Sequence, residues 1–283
     1  MNRMMQTRFP RRAALLLAAL GLGACAAIRA PAPAPEPLAN PQVLLLGEVH
    51  DNPQGHRARF DDLKRRVDAG WRPVIAMEQF DRENQALLSK AQRECADADC
   101  VIRVMAAPRW DWTLYRPVID LALTYDLPLV AANLSRADAS RTVRDGVRAT
   151  FDAAAVARYS LEAPLPAGLR GAQQREIVAG HCNMLPDSML GGMVDAQVAR
   201  DIWMADIVRA HMPRAVVLLA GNGHVRKDIG VPYWLRLAAP QMSLRSVGYV
   251  EAADPSHAAA YDATRSIAPH QRPDPCAGVK AKS

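Results

Sequence analysis

Short continuous apolar runs alternate along the chain with segments whose apolar positions recur every three to four residues. Val43–Leu46 is such a run and predicts a buried strand that stops at Gly47-Glu48. Residues 54–69 place Phe60, Leu63 and Val67 at helical spacing and predict a helix. Residues 73–77 predict a second strand ending at Glu78, 82–94 a helix, 114–125 another, and 127–131 a third strand. Residues 215–220 predict a fourth strand running into Gly221-Asn222-Gly223-His224, and 243–250 a fifth. Between strands three and four, about eighty residues show no strand pattern. They predict helices, including 171–180 and a longer one at 192–211, as a helical insertion or lid. Strands alternating with helices predict an α/β fold with a central, mostly parallel sheet flanked by helices. No solenoid-type repeat is present.

The 283 residues are 50% apolar and 23% charged, which excludes a disordered, collagenous or coiled-coil chain. The N-terminus departs from that average. Arg8, Arg11 and Arg12 precede the apolar run at 13–24, which is too short to span a bilayer. Leu22-Gly23-Ala24-Cys25 then resembles a bacterial lipobox, and residues 31–37, PAPAPEP, predict a stiff extended tether. The expected organisation is a lipoprotein signal peptide at 1–24, a lipidated Cys25 with its tether at 25–41, an α/β domain at 42–250 and a flexible tail at 251–283. Acyl chains on Cys25 would hold the domain at the cell envelope through membrane lipid. Ala26, where an Asp would favour the inner membrane, points to the outer membrane and the periplasm. The formal charge of +6 owes four arginines to the first 24 residues, so the rest of the chain is nearly balanced. Nothing in that balance points to nucleic acid. Cys95 and Cys100 are spaced to close a small disulfide loop, and Cys276 falls in the tail. A zinc site would need a second close cysteine pair, which is missing.

The candidate chemistry lies where the predicted strands end, which is where open parallel sheets bind ligands. Strand one leads to Glu48 and His50, with His56 early in the next helix. Strands two, three and four lead to Glu78, Asn133 and His224. The form G-x-x-H occurs after both strand one and strand four, as Gly47-Glu48-Val49-His50 and Gly221-Asn222-Gly223-His224. His50, Glu78 and His224 form a plausible divalent-metal ligand set, with Glu48 as a general base. Trp110-Asp111-Trp112-Thr113-Leu114-Tyr115-Arg116-Pro117 is aromatic enough to offer a flat ligand face and a phenol, or simply a helix start capped by Asp111 or Thr113. Gly180 to Pro186 places His181, Cys182 and Met184 in one turn, either as soft ligands or as a packed loop. Gln197 and Asp201 share a face of the long helix and predict a solvated polar stripe. The sequence has no G-x-S-x-G elbow, Walker loop, G-x-G-x-x-G after a strand or H-E-x-x-H, which argues against the common serine hydrolases, nucleotide hydrolases and zincins.

Taken together, LLLGEVHDNPQGH (44–56), AMEQF (76–80), WDWTLYRP (110–117), GHCNMLP (180–186), the segment 193–205 and AGNGHVRKDIGVP (220–232) resemble the ChaN family. The resemblance spans roughly residues 42–250. It implies an envelope lipoprotein that binds haem in iron acquisition, a dimer with two stacked haems, a tyrosine ligand to the iron and delivery toward an outer-membrane haem receptor. Tyr115 is the expected ligand because it lies inside a family motif, with Tyr233 in reserve. Trp110, His181 and Arg116 are expected beside the haem, with Arg109 or Arg116 on its propionates. A phenolate ligand suits a carrier of ferric haem. The wider superfamily also implies an alternative, a metal-dependent hydrolase built on Glu48, His50, Glu78 and His224. A third reading is a non-catalytic envelope scaffold.

Overall fold

The computed structural model describes residues 40–105, 108–251, 259–274 and 276–277. The leader, Cys25 and most of the tether lie outside the described residues, so the lipoprotein expectation finds no structural counterpart here. Among the described residues no helix is long and apolar enough to cross a membrane.

Six parallel strands form one sheet: β1 (Val43–Leu46), β2 (Val74–Asp81), β3 (Leu129–Asn133), β4 (Val216–Leu219), β5 (Leu244–Val250) and β6 (Ala263–Ser266), in the order β3-β2-β4-β1-β5-β6. The helices are α1 (Pro53–Asp68), α2 (Gln85–Glu94), α3 (Ala98–Met105), α4 (Trp112–Thr124), α5 (Arg136–Asp145), α6 (Ala153–Arg158), α7 (Ala167–Gly180), α8 (Asp187–Ala210) and α9 (Val231–Ala238).

Side chains alternate across each strand, so both faces of the sheet are apolar and each needs a helical layer. Leu44, Leu46, Ile75 and Met77 pack with α1–α4, whereas Val43, Leu45, Val74 and Ala76 pack with α6–α9. Chain direction explains the division. The steps β1 to β2 and β2 to β3 move one way across the sheet, and the step from β3 to β4 turns back. Right-handed crossovers place the connecting helices on opposite faces when the direction reverses. The α/β architecture is therefore the one expected, and the helices between β3 and β4 supply the second layer.

Three departures bear on the site. First, β2 continues through Glu78 and Gln79 to Asp81, beyond the end of its apolar run. The buried polar pair is tolerated because partners satisfy it. Second, the third strand runs two residues later than the apolar pattern suggested and ends on Asn133 itself. Third, residues 259–274 and 276–277 correct the expectation of a flexible tail. β6 pairs with β5 at Val247↔Ala263, Ile267 is buried, and Cys276 is disulfide-bonded to Cys182. Edge pairing uses backbone groups, so the polar side chains of this segment hid its strand. The Cys95–Cys100 disulfide that the spacing allowed is present.

Candidate functional site

The topological reversal creates the site. β1 and β4 are neighbours, yet the chain leaves β1 toward α1 on one face and β4 toward α9 on the other. A crevice opens between diverging connections of this kind. Glu48 and His50 follow β1, Gly221 to His224 follow β4, and Glu78 stands on β2 beside them.

Glu48 is the hub of one cluster and is 2% exposed. Its Oε2 receives the Arg59 guanidinium. Its Oε1 accepts the Tyr115 hydroxyl at 2.6 Å and Gln79 Nε2 at 3.2 Å, and pairs with His50 Nδ1 at 2.7 Å. A carboxylate so fully engaged serves as a fixed anion that orients His50. It is not a free general base, which corrects the role expected for it. Half of the His50 side chain remains exposed, and among the described residues its Nε2 has no hydrogen-bond partner. Burial lowers the Arg59 guanidinium to about 10, against the upward pull of Tyr115, Tyr249 and Glu78, so it stays cationic near neutrality.

His56 braces this hub from α1, whose N-cap Asn52 accepts from Gly55 N at 2.8 Å. Arg59 Nη2 lies 3.0 Å from His56 Nδ1, and an arginine can only donate. His56 Nε2 therefore carries the proton and donates to the His50 carbonyl at 3.0 Å. Burial lowers His56 to about 4, so the ring is neutral.

The second cluster runs across the crevice. Gly221 N donates to Glu78 Oε2 at 2.7 Å, Glu78 Oε1 lies 3.5 Å from His224 Nε2, and His224 Nδ1 donates to Asp201 Oδ1 at 2.6 Å. Gln173 Nε2 closes the chain on Asp201 Oδ2 at 3.1 Å. Burial works against the His224 charge, but Glu78 and Asp201 outweigh it and raise the imidazole to about 10. Burial likewise opposes the Glu78 charge, yet His224, His50 and the Gly221 amide hold its carboxyl well below the usual range. A side chain at Gly221 would put its Cβ 3.1 Å from His50 Cε1 and Nε2, so glycine lets the two clusters meet.

The structure thus brings Glu48, His50, Glu78 and His224 together, as the paired motifs suggested. It does not arrange them as a metal centre. Both nitrogens of His224 face carboxylates, and among the described residues no group of three or more His, Cys, Asp and Glu could hold an ion.

These clusters form one side of an open cleft of about 900 Å³, also lined by Arg109, Trp110, Asn133, Gln197, Arg200 and Arg272. Trp110 sets its ring edge-on to His50, with centroids 5.1 Å apart, as a ligand-facing aromatic should. Tyr115 departs from the expectation of an exposed phenol. It is 0% exposed, bonded to Glu48, and burial raises its hydroxyl well above the usual range. A neutral, enclosed phenol of this kind does not reach a ligand in the cleft. Tyr233 is half-buried against Trp234 and the core beneath α9 and does not line the cleft. Arg116 is an exposed partner of Asp99 at 2.8 Å, also away from the cleft. Arg109 lines it but is paired with Asp81 at 2.8 Å. His181 is exposed, with Nδ1 on the Ile177 carbonyl at 2.7 Å, next to Gly180 on the rim. Cys182 is committed to its disulfide.

The polar stripe of α8 corrects another expectation. Asp201 is 0% exposed, and Gln197 Nε2 lies 3.2 Å from His224 Nδ1, so the stripe faces the site and not solvent. Arg59, Gln79, Arg200 and Arg272 went unnoticed in the sequence. Arg59 had a signal: it is a charged residue inside the buried stripe of α1, with His56 and Leu63. Arg272 had none, because its partners Asp51 and Glu251 are remote in sequence.

A family model described as haem-binding uptake, Tiki superfamily, ChaN matches residues 35–235. Among solved structures, the chain resembles that of cofacial haem binding to ChaN of Campylobacter jejuni, with a TM-score of 0.60 and 21% identity over 75% of this chain and 82% of that one. It also aligns with an erythromycin esterase mutant, EreC, in its open conformation, at a TM-score of 0.43 and 17% identity over 74% of this chain and 70% of that one. No curated protein matches the chain.

Proposed function

The chain belongs to the ChaN family of haem-binding uptake proteins in the Tiki superfamily, and on that premise we propose that it captures ferric haem in the cleft at the carboxyl ends of β1, β2 and β4. The carrying observation is His50. Its Nδ1 is fixed on the buried Glu48 carboxylate, and its Nε2 is free beside Trp110. A carboxylate on the far nitrogen fixes the tautomer and the orientation of an imidazole ligand. His50 therefore replaces Tyr115 as the proposed axial ligand to the iron, with Trp110 against the porphyrin. Axial ligation is a main lever of the protein on haem iron, and histidine is one of the side chains that supplies it.

The likeness to a cofacial haem complex supports a dimer of two copies that bring their haems together. The lipobox at Cys25 and the Pro-rich tether support a lipid-anchored position at the outer membrane facing the periplasm. From that position the protein would relay haem to an outer-membrane receptor for iron acquisition. Ferric haem titrated into the purified protein by absorbance, with sizing chromatography at each ratio, tests the reading. Saturable binding with a histidine-type spectrum, lost in His50→Ala, is expected. Binding that survives His50→Ala unchanged overturns the ligand assignment, and no saturable binding overturns the function.

One observation favours a second reading. An imidazole oriented by a buried carboxylate is also the working half of a general-base couple. In a hydrolase, His50 Nε2 would take a proton from water. Ester hydrolysis abolished by His50→Ala, with the haem isotherm unchanged, would establish that reading over the first.

A further inference from the structure

We infer that Arg200 is the anion-recognition element of the cleft and that it takes a carboxylate of the bound ligand. This rests on the haem reading above and assigns the propionate end of that ligand.

The argument is one of charge pairing. Among the charged groups that line the cleft, Glu48 pairs with Arg59, and Glu78 pairs with His224, which Asp201 shares. Arg109 is paired with Asp81, and Arg272 with Asp51 and Glu251. Arg200 lines the same cleft, and among the described residues it has no hydrogen bond or ion pair.

Its position makes that notable. Arg200 lies on α8 between two residues that face the site, Gln197 three positions before it and Asp201 next to it. It is half-buried, and burial pulls its guanidinium below the usual arginine range while Glu78 and Asp201 pull the other way. A guanidinium partly removed from water without a partner is costly, and an entering anion would relieve that cost. The planar fork matches a carboxylate with two parallel N–H···O bonds. The opposite demand of the ligand, a flat apolar body, is met by Trp110 beside His50. Sequence resemblance pointed to Arg109 or Arg116 for this task. The first is already paired, and the second lies outside the cleft. The competing structural reading is that Arg200 merely offsets the surplus of Glu78 and Asp201 over His224.

The test compares ferric haem with its dimethyl ester, which keeps the iron and the ring but not the carboxylates. Both are titrated by absorbance into wild-type protein, Arg200→Gln and Arg200→Lys, with thermal unfolding of each. Wild type should bind the free acid about 10-fold more tightly than the ester, the usual scale for one charge-assisted hydrogen-bonded pair. Arg200→Gln should remove most of that difference by weakening the acid alone, and Arg200→Lys should keep part of it. Unchanged acid binding in Arg200→Gln overturns the inference, as does equal weakening of acid and ester. If Arg200→Gln does not fold, the same comparison in Arg200→Lys decides: an acid-to-ester ratio identical to wild type overturns the inference, and a reduced ratio with unchanged ester binding supports it. Wild type that binds acid and ester equally refutes this assignment but leaves the haem reading standing. Wild type that binds neither refutes both.

Discussion

The Tyr115 hydroxyl donates to Glu48 Oε1 at 2.6 Å, on the same oxygen that pairs with His50 Nδ1 at 2.7 Å. The phenol that a family motif made attractive as an iron ligand is thus a support for the carboxylate that positions the histidine. Tyr115→Phe should cost about 2 kcal/mol of stability, as expected for a lost buried hydrogen bond to a charged acceptor. It should leave the ferric haem spectrum intact. Denaturant unfolding and haem titration of the same variant check both halves.

His56 provides a pH dependence with a definite sign. Burial lowers it from 6.5 to about 4, and its only proton is already committed to the His50 carbonyl. A folded value below the unfolded one means the unfolded chain takes up the proton first. The stability His56 contributes is present above pH 6.5 and is lost as pH falls toward 4. The loss should be on the order of 3 kcal/mol across that window. His56→Gln should flatten this part of the stability profile, measured by urea unfolding between pH 7 and 4. Parallel profiles for variant and wild type would refute the assignment.

The two disulfides should differ in weight because they close loops of different length. Cys182–Cys276 spans 94 residues and Cys95–Cys100 spans 5. Chain-entropy scaling gives about 4.7 kcal/mol for the first and about 2 kcal/mol for the second. Cys276→Ser should therefore lower the unfolding midpoint more than Cys100→Ser. It should also speed haem loss to apomyoglobin, because Arg272 on the same segment lines the cleft.

Gly221→Ala tests the contact between the two clusters. The added Cβ would stand 3.1 Å from His50 Cε1 and Nε2, closer than most real neighbours. The ring must move off its present line while Glu48 still holds its other nitrogen. Haem affinity should fall several-fold and the absorbance spectrum should shift, with stability changed by less than about 1 kcal/mol. An unaltered spectrum would show that His50 does not bind at this place.

The legible part of the site is what lies at the ends of strands. Glu48, His50, Glu78 and His224 all meet in the crevice, because a parallel sheet presents the carboxyl ends of its strands on one rim. The partners were less legible. Asp201 reads as half of an exposed helical stripe until α8 is seen packed with that stripe against His224. Arg200, one residue earlier, carries no signal of its own.

Local periodicity determined the elements. Apolar runs need burial on both faces, and that requirement alone specifies strands sandwiched between helices. The motifs likewise determined the family and the rim. Tertiary structure decided the rest: that Tyr115 points inward, that β6 and Cys276 return to the body of the fold, and that among the described residues each charged group of the cleft but Arg200 has a hydrogen-bonded or ion-paired partner. Periodicity is written in neighbours three or four residues apart, whereas Tyr115 lies 67 residues from Glu48 and Arg272 lies 221 from Asp51. Which charge neutralises which depends on distances that exist only after the chain has crossed the sheet and returned.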